Sequence, residues 1–151
     1  GNVVVRPSLA GMGAPHGLFE ARGLIAGLSF ADGPAEVARA ALQGIAFRFR
    51  EIAEVIADAL PVPEALPVAG GLSASDTLMQ LQADALQRPV RRHAVREASA
   101  YGAALAAGMG AGLFGESDLQ RLARYDAEFL PKVGRDEADA AFAQWRAAVM
   151  V

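Results

Sequence analysis

The 151-residue sequence contains no cysteine, which excludes a disulfide framework, a thiolate metal site and a cysteine nucleophile. That absence is compatible with a reducing, cytoplasmic setting. Histidine is almost as scarce, with His16 and His93 the only two. Without an HExxH motif or an acidic cluster at ligand spacing, no metal site is expected. The two histidines read as loop or surface residues, with a general-base role as the sharper alternative. Neither common phosphate-binding motif occurs: Gly11-Met12-Gly13 is followed by His16 where GxGxxG needs its third glycine, and no GxxxxGK[ST] is present. Positive charge is not in excess either. A net charge of −3 supplies no basic field for a nucleic-acid backbone or an anionic membrane.

Long apolar spans are missing as well. The uncharged stretch from Ala98 to Phe114 is dominated by Ala and Gly, whereas a membrane-spanning helix needs about 20 apolar residues. Its Gly108/Gly112 spacing is a small-xxx-small pattern, and a buried, closely packed helix is expected there. No signal peptide is expected, because no charged segment and apolar run precede a cleavage site. The chain opens on Gly1 without an initiator Met, as expected of a segment cut from a longer protein.

What is present describes one globular domain. Apolar residues make up 53 % and charged residues 21 %, enough to bury about two-thirds of the unfolded surface at this length. Val3-Val4-Val5 predicts a short strand, Gly23 to Ser29 a second, and Asp32-Gly33-Pro34 a helix start. From Pro34 to Leu60 the period is helical. Ala38, Ala41, Leu42, Ile45, Phe49, Ile52, Ile56 and Leu60 share one face, and Arg39, Gln43, Arg50, Glu54 and Asp58 lie opposite. Pro61 and Pro63 end it. Leu66-Pro67-Val68-Ala69 runs into Gly70-Gly71, then Ser73-Ala74-Ser75-Asp76 supplies cap residues for a helix to about Gln87. Pro89 to Ala94 reads as an edge-type strand, followed by the Ala98 helix, a short helix near Ser117 to Ala123, and a last helix from Asp136 to Met150 carrying Phe142 and Trp145. Strand and helix alternate, so the fold class is α/β.

Strand, Gly-Gly and helix start together form the most informative segment. Glycines let a ligand approach the backbone, and a helix start presents unpaired N–H groups with partial positive charge. A phosphate or the sugar edge of a nucleotide suits that environment, although a tight connection needs the same residues. Ser73 and Ser75 lack a GxSxG elbow and read as caps. Arg91, Arg92 and Arg96 read as a solvated strand end rather than a phosphate clamp. Glu51, Glu54, Asp136, Glu137 and Asp139 read as helix-surface charges.

Four blocks, in order, carry a resemblance. Leu9 to His16 and Glu20 to Leu28 resemble the GLGAPYW…ARGAIFGLT segment of glycerol kinases. RAALQGIAFRFREI, from Arg39 to Ile52, is similar to RAxLEGIAFxxRDV. VAGGLSASDTLMQLQADALQRPVRR, from Val68 to Arg92, resembles VDGGAxxNxxLMQxxADxLxxPVxR. REASAYGAALAAGMGAGLF, from Arg96 to Phe114, is similar to RExTALGAAxLAGxAxGxW. Together they resemble the C-terminal domain of FGGY carbohydrate kinases, the family of glycerol and xylulose kinases, over roughly positions 3 to 150.

The resemblance implies an actin-like ATPase (ribonuclease H-like) fold truncated at its N-terminal strands, with residues 1–151 as the nucleotide-binding domain. It implies transfer of the ATP γ-phosphoryl group, with Mg²⁺, to a sugar or polyol hydroxyl. Gly70 and Gly71 then lie against adenosine, and Ser75 stands where the family usually has an adenine-contacting Asn. A hydroxyl offers less than an amide there. The resemblance assigns the catalytic Asp, the Mg²⁺ carboxylate and most sugar contacts to an N-terminal domain missing from this chain, so no catalytic residue is expected in it. GMGAPH is nearer the glycerol-kinase loop than the xylulose-kinase GERxP, but His16-Gly17 replace Tyr-Trp. The competing expectations are a non-catalytic actin-like nucleotide-binding or assembly module, and an interaction domain whose turn binds nothing. Self-association is left open.

Overall fold

The computed structural model describes residues 2–150. β1 (Val4–Arg6) pairs antiparallel with β2 (Leu24–Ala26), with Val5 opposite Ile25. Between them Met12 and Leu18 exchange backbone hydrogen bonds of 2.8 and 2.7 Å, closing a tight turn over residues 13–17. The expected first helix is α1 (Pro34–Ala59). Proline begins it where a missing N–H is harmless, and the Glu36 carboxylate accepts from the Gly33 N–H at 2.8 Å.

α1 buries a different face from the one its apolar stripe suggests. Ala40, Gly44, Phe47 and Glu51 are the residues turned inward, whereas Phe49, Ile56 and Leu60 are exposed. The physical reason is that α1 is packed from two sides. β1 and α5 (Arg135–Val149) cover the Ala40–Gly44–Phe47 side, while Leu42 and Ile45 meet α2 (Asp76–Leu86). Gly44 is required where β1 crosses, since an added Cβ would strike the Val5 carbonyl oxygen.

Phe47, Ala46, Ala85, Phe142, Trp145 and Val149 form the main core, and the buried Trp145 Nε1–H donates to the Val5 carbonyl at 2.9 Å. A second cluster joins Leu78, Met79, Ala83 and Val90 beneath the second sheet.

That sheet runs β3 (Leu66–Val68), β4 (Val90–His93), β5 (Tyr125–Phe129), with β3–β4 parallel and β4–β5 antiparallel. β4 is therefore central, correcting the edge-type expectation. Pro89 sits just ahead of the strand and contributes only its carbonyl, which accepts from Leu66 N–H at 2.8 Å, so the missing N–H costs no ladder bond. β5 has no counterpart in the sequence reading. It is too polar to read as a strand, and it is fastened by cross-strand charge pairs, Arg91–Glu128 at 2.6 Å and Arg92–Asp126 at 2.7 Å.

The Ala98 helix, α3 (Ala98–Gly110), forms where expected but not in the expected environment. Only Gly108 on it is buried, beneath the Phe114 ring. Tyr101 ties it to the body through an O–H bond of 2.8 Å to Leu122 O and a ring contact with His93. Apart from the half-buried Leu105, the rest of its apolar residues are exposed. A 3₁₀ turn (Glu116–Asp118) and α4 (Leu119–Leu122) lead from it into β5.

Candidate functional site

β3 ends at Val68, and the chain leaves the sheet through Ala69, Gly70 and Gly71. Gly70 adopts φ +99°, a conformation closed to most L-residues. Its N–H donates to Arg96 O at 3.1 Å, and its carbonyl accepts from Ser73 N–H at 3.1 Å and Ser73 Oγ–H at 2.7 Å. A 3₁₀ turn (Gly71–Ala74) follows, and Ser75 then caps α2, its Oγ accepting from Leu78 N–H at 3.3 Å. Ser73 and Ser75 are thus local fasteners, as their cap chemistry predicts. Ser75 keeps its hydroxyl proton for another acceptor while its oxygen serves the helix.

The structure brings Gly70, Gly71 and Ser75 onto one turn at the carboxyl end of a parallel strand, where ligands of α/β sheets bind. A Cβ built on either glycine meets no atom within 4 Å, so the backbone faces open space. Gly71, unlike Gly70, has no positive φ; nothing in the chain itself demands a glycine there.

Arg92 corrects the reading of a solvated basic cluster. Its side chain is 13 % exposed and hydrogen-bonded through Nη1 and Nε. Nη1 donates to Asp76 Oδ1 at 2.6 Å and to Ser73 O at 3.3 Å, Nε donates to Asp126 Oδ1 at 2.7 Å, and the guanidinium lies 5.6 Å from the Phe129 ring centroid. Its hydrogen bonds to Asp126 and then Asp76 raise its pKa above the ordinary guanidinium value. Asp76 is accordingly spoken for. Arg91 keeps only an exposed pair with Glu128, and Arg96 contributes its carbonyl to Gly70.

Glu51 also departs from its reading as a surface charge. It is 4 % exposed; its Oε1 meets His16 Nε2 at 3.1 Å, and Oε2 accepts from Arg48 Nη1. Arg48 Nη2 in turn donates to Ala14 O at 2.7 Å. The group staples the 13–17 turn to α1 and lies apart from Gly70–Gly71. His93 is structural too: Nδ1 accepts from Val95 N–H at 3.0 Å, and its ring packs on Tyr101 and Tyr125. A recess of about 190 Å³ between α1, α2 and α5 also lies away from the turn, and its Arg50 is already paired with Glu54 and Asp139.

The model for the C-terminal domain of the FGGY family of carbohydrate kinases matches residues 1–111. The chain belongs to that family. It is 42 % identical to the glycerol kinase of Thermus brockianus over 150 residues, 99 % of this chain and 30 % of that protein. The glycerol kinase of Polaromonas naphthalenivorans is 43 % identical over 156 residues, covering 99 % and 31 %. Among solved structures, Plasmodium falciparum glycerol kinase with ADP superposes with a TM-score of 0.85 at 27 % identity, over 99 % of this chain and 30 % of that one. Xylulose kinase from Rhodospirillum rubrum gives 0.79 at 29 % identity, over 97 % and 30 %. The FGGY chain thus spans about 30 % of the length of the relatives it matches. The mixed α/β architecture and these neighbours agree with the actin-like ATPase fold.

For the nucleotide, the uncovered Gly70–Gly71 backbone fits a close-lying sugar or phosphate. For Mg²⁺ the described residues of this FGGY chain hold no group of three or more acidic or histidine side chains. No helix among them is long and apolar enough to cross a membrane. Beside the turn, the residue that sequence reasoning misjudged is Arg92. Its partner Asp126 lies on β5, the strand that was not anticipated.

Proposed function

We propose that this chain forms the adenosine side of the nucleotide cleft in an ATP-dependent sugar or polyol kinase, which transfers the γ-phosphoryl group to an acceptor hydroxyl. The observation that carries the reading is the open Gly70–Gly71 turn at the end of β3. It occurs in a chain whose fold matches an ADP-bound glycerol kinase along nearly its whole length. In this reading Gly70 and Gly71 lie against the ribose and Ser75 offers its hydroxyl to the base. The relatives with about 40 % identity are glycerol kinases, which makes glycerol the first acceptor to test. An ATP-consuming kinase of this kind works in the cytoplasm.

Phosphoryl transfer depends on positioned groups and charge stabilisation, and this turn supplies neither a base nor a metal ligand. Alone, the chain binds but does not turn over. Titration with ADP should shift the amide resonances of Gly70, Gly71 and Ser75 with a dissociation constant above about 1 mM, less than roughly 4 kcal/mol of binding. A coupled assay with glycerol should release no ADP. Shifts confined to other segments would discard the site, and turnover by this chain would discard the division of labour.

A further inference from the structure

We infer that the recess between α1, α2 and α5 is a binding site for a small organic carboxylate with a short apolar body. None of its residues belongs to the Gly70–Ser75 turn. The recess has a volume of about 190 Å³. A protein cavity of about 150 Å³ is enough to hold benzene, so a ring or chain of that size fits. Ala53 and Ala57, one turn apart on α1, leave the space open, and Leu86, Val62 and Leu66 complete an apolar floor. Gln87 closes one wall at φ +51°, a left-handed conformation in which glycine is the easier residue. Its Nε2 donates to Asp84 O at 2.8 Å and to Val133 O at 3.2 Å. The side chain thus ties the end of α2 to the segment before α5, which a glycine could not do.

Charge selects the ligand class. Arg50 pairs with Glu54 at 2.8 Å and with Asp139 at 2.6 Å, and lies 4.3 Å from the Phe142 ring centroid. Both acids of the lining are therefore held by one cation. Arg88 and Arg135 are the charges that remain. Arg88 donates one bond, from Nη1 to Pro63 O at 3.1 Å. Arg135, exposed at the start of α5, has no hydrogen bond or ion pair among the described residues. Three arginines against two acids leave the lining at +1, in a chain of net charge −3. An inorganic anion would satisfy the arginines and leave the apolar floor wet, whereas an uncharged ring would cover the floor and leave the guanidinium groups unpaired. A carboxylate on an apolar body meets both demands, because guanidinium matches its two oxygens and the floor takes the rest.

Benzoate is the probe, with benzyl alcohol and inorganic phosphate standing for its two halves. Titrations of the 151-residue chain follow the amides of Leu86, Gln87, Arg88 and Arg135, with thermal melts in parallel. Benzoate should give saturable shifts there, and each half should bind at least about fivefold more weakly, the order of one part-exposed charge contact. Arg88→Gln together with Arg135→Gln should bring benzoate down to the level of benzyl alcohol and leave benzyl alcohol unchanged. Arg91→Gln, outside the recess, should alter neither. Ala57→Phe, at an exposed position of the floor, should fill the space and abolish benzoate binding with the melting temperature kept. Should that variant melt early, the arginine pair decides alone. Shifts that never saturate overturn the inference, as does benzyl alcohol or phosphate binding as tightly as benzoate. Full benzoate affinity in the double arginine variant, or in a folded Ala57→Phe chain, overturns it too.

Discussion

The body of this FGGY chain and its open rim are built by opposite rules. In the body, α1, α2 and α5 enclose Phe47, Phe142 and Trp145, with ring centroids 5.6 to 6.1 Å apart. Buried polar groups there are paired, the indole N–H on Val5 O and the Glu51 carboxylate on His16 and Arg48, with Gln82 Oε1 on α2 the exception among the described residues. Around the Gly70–Gly71 turn and along α3, backbone and apolar side chains face outward. The turn is ordered by hydrogen bonds and by Arg92 rather than by a covering layer. Stability therefore resides in the body, the proposed nucleotide contacts lie on the rim, and substitutions should separate them.

The largest expected effect lies in the body. Trp145 is 2 % exposed, and Trp145→Ala should cost about 3–5 kcal/mol, through lost burial, the cavity left behind and an unpaired Val5 carbonyl. Urea unfolding followed by circular dichroism reads this as a lower midpoint. A cost under 1 kcal/mol would mean that the three helices do not close on this side chain. Next comes Glu51→Ala, which leaves Arg48 and His16 without their anion. Breaking a fully buried pair costs about 3–5 kcal/mol; Arg48 keeps 14 % exposure, so about 2–3 kcal/mol is expected. Amide exchange over residues 13–17 should quicken at the same time, and unaltered protection there would show that the staple is idle.

The rim separates stability from binding at two adjacent positions. Gly70→Ala must place a side chain at φ +99°, a strain of about 1–2 kcal/mol. Gly71→Ala meets neither a bad φ nor a neighbouring atom, so unfolding should be unchanged while ADP binding weakens. Equal binding in Gly71→Ala would say that no ligand approaches this backbone. Smaller still, Ala104→Glu on the uncovered side of α3 should move stability by no more than about 0.5 kcal/mol. A larger loss would show that this face is covered after all.

How much of this could be read beforehand follows the same division. The helices from Pro34, Ser75 and Arg135 are near their expected bounds, because proline, cap residues and the 3.6-residue period act locally. The Gly70-Gly71-to-Ser75 connection was legible for the same reason. Tertiary partners were not. The apolar stripe of α1 marked only part of its buried surface, because β1 and α5 claim the Phe47 side and carry the buried Glu51 with it. β5 escaped notice because its stabilisation is cross-strand charge pairing, which leaves no apolar alternation. With β5 unseen, nothing in the sequence pointed to a partner for Arg92. The α3 composition suggested burial, yet apolar character states only what a surface prefers, not whether this chain supplies a cover.

An exposed segment can still be locally ordered, and the link into α1 provides the smallest test of that idea. Asp32 Oδ2 accepts from Ser29 Oγ–H at 2.6 Å and from Ser29 N–H at 2.8 Å. These bonds, the hydroxyl first, hold the carboxyl below the ordinary Asp pKa. A depressed folded value means that the stabilisation is fully present above the unfolded pKa and is lost as pH falls through the folded one. The effect is therefore confined to acid, below the ordinary Asp titration range, and leaves neutral pH untouched. A carboxyl-carbon titration by NMR should give Asp32 a midpoint below the ordinary Asp value, and Ser29→Ala should move it back toward that value. If Ser29→Ala leaves the midpoint in place, the two bonds do not set the charge. The order of this link would then come from α1 alone, as a rim governed only by its covered neighbour would require.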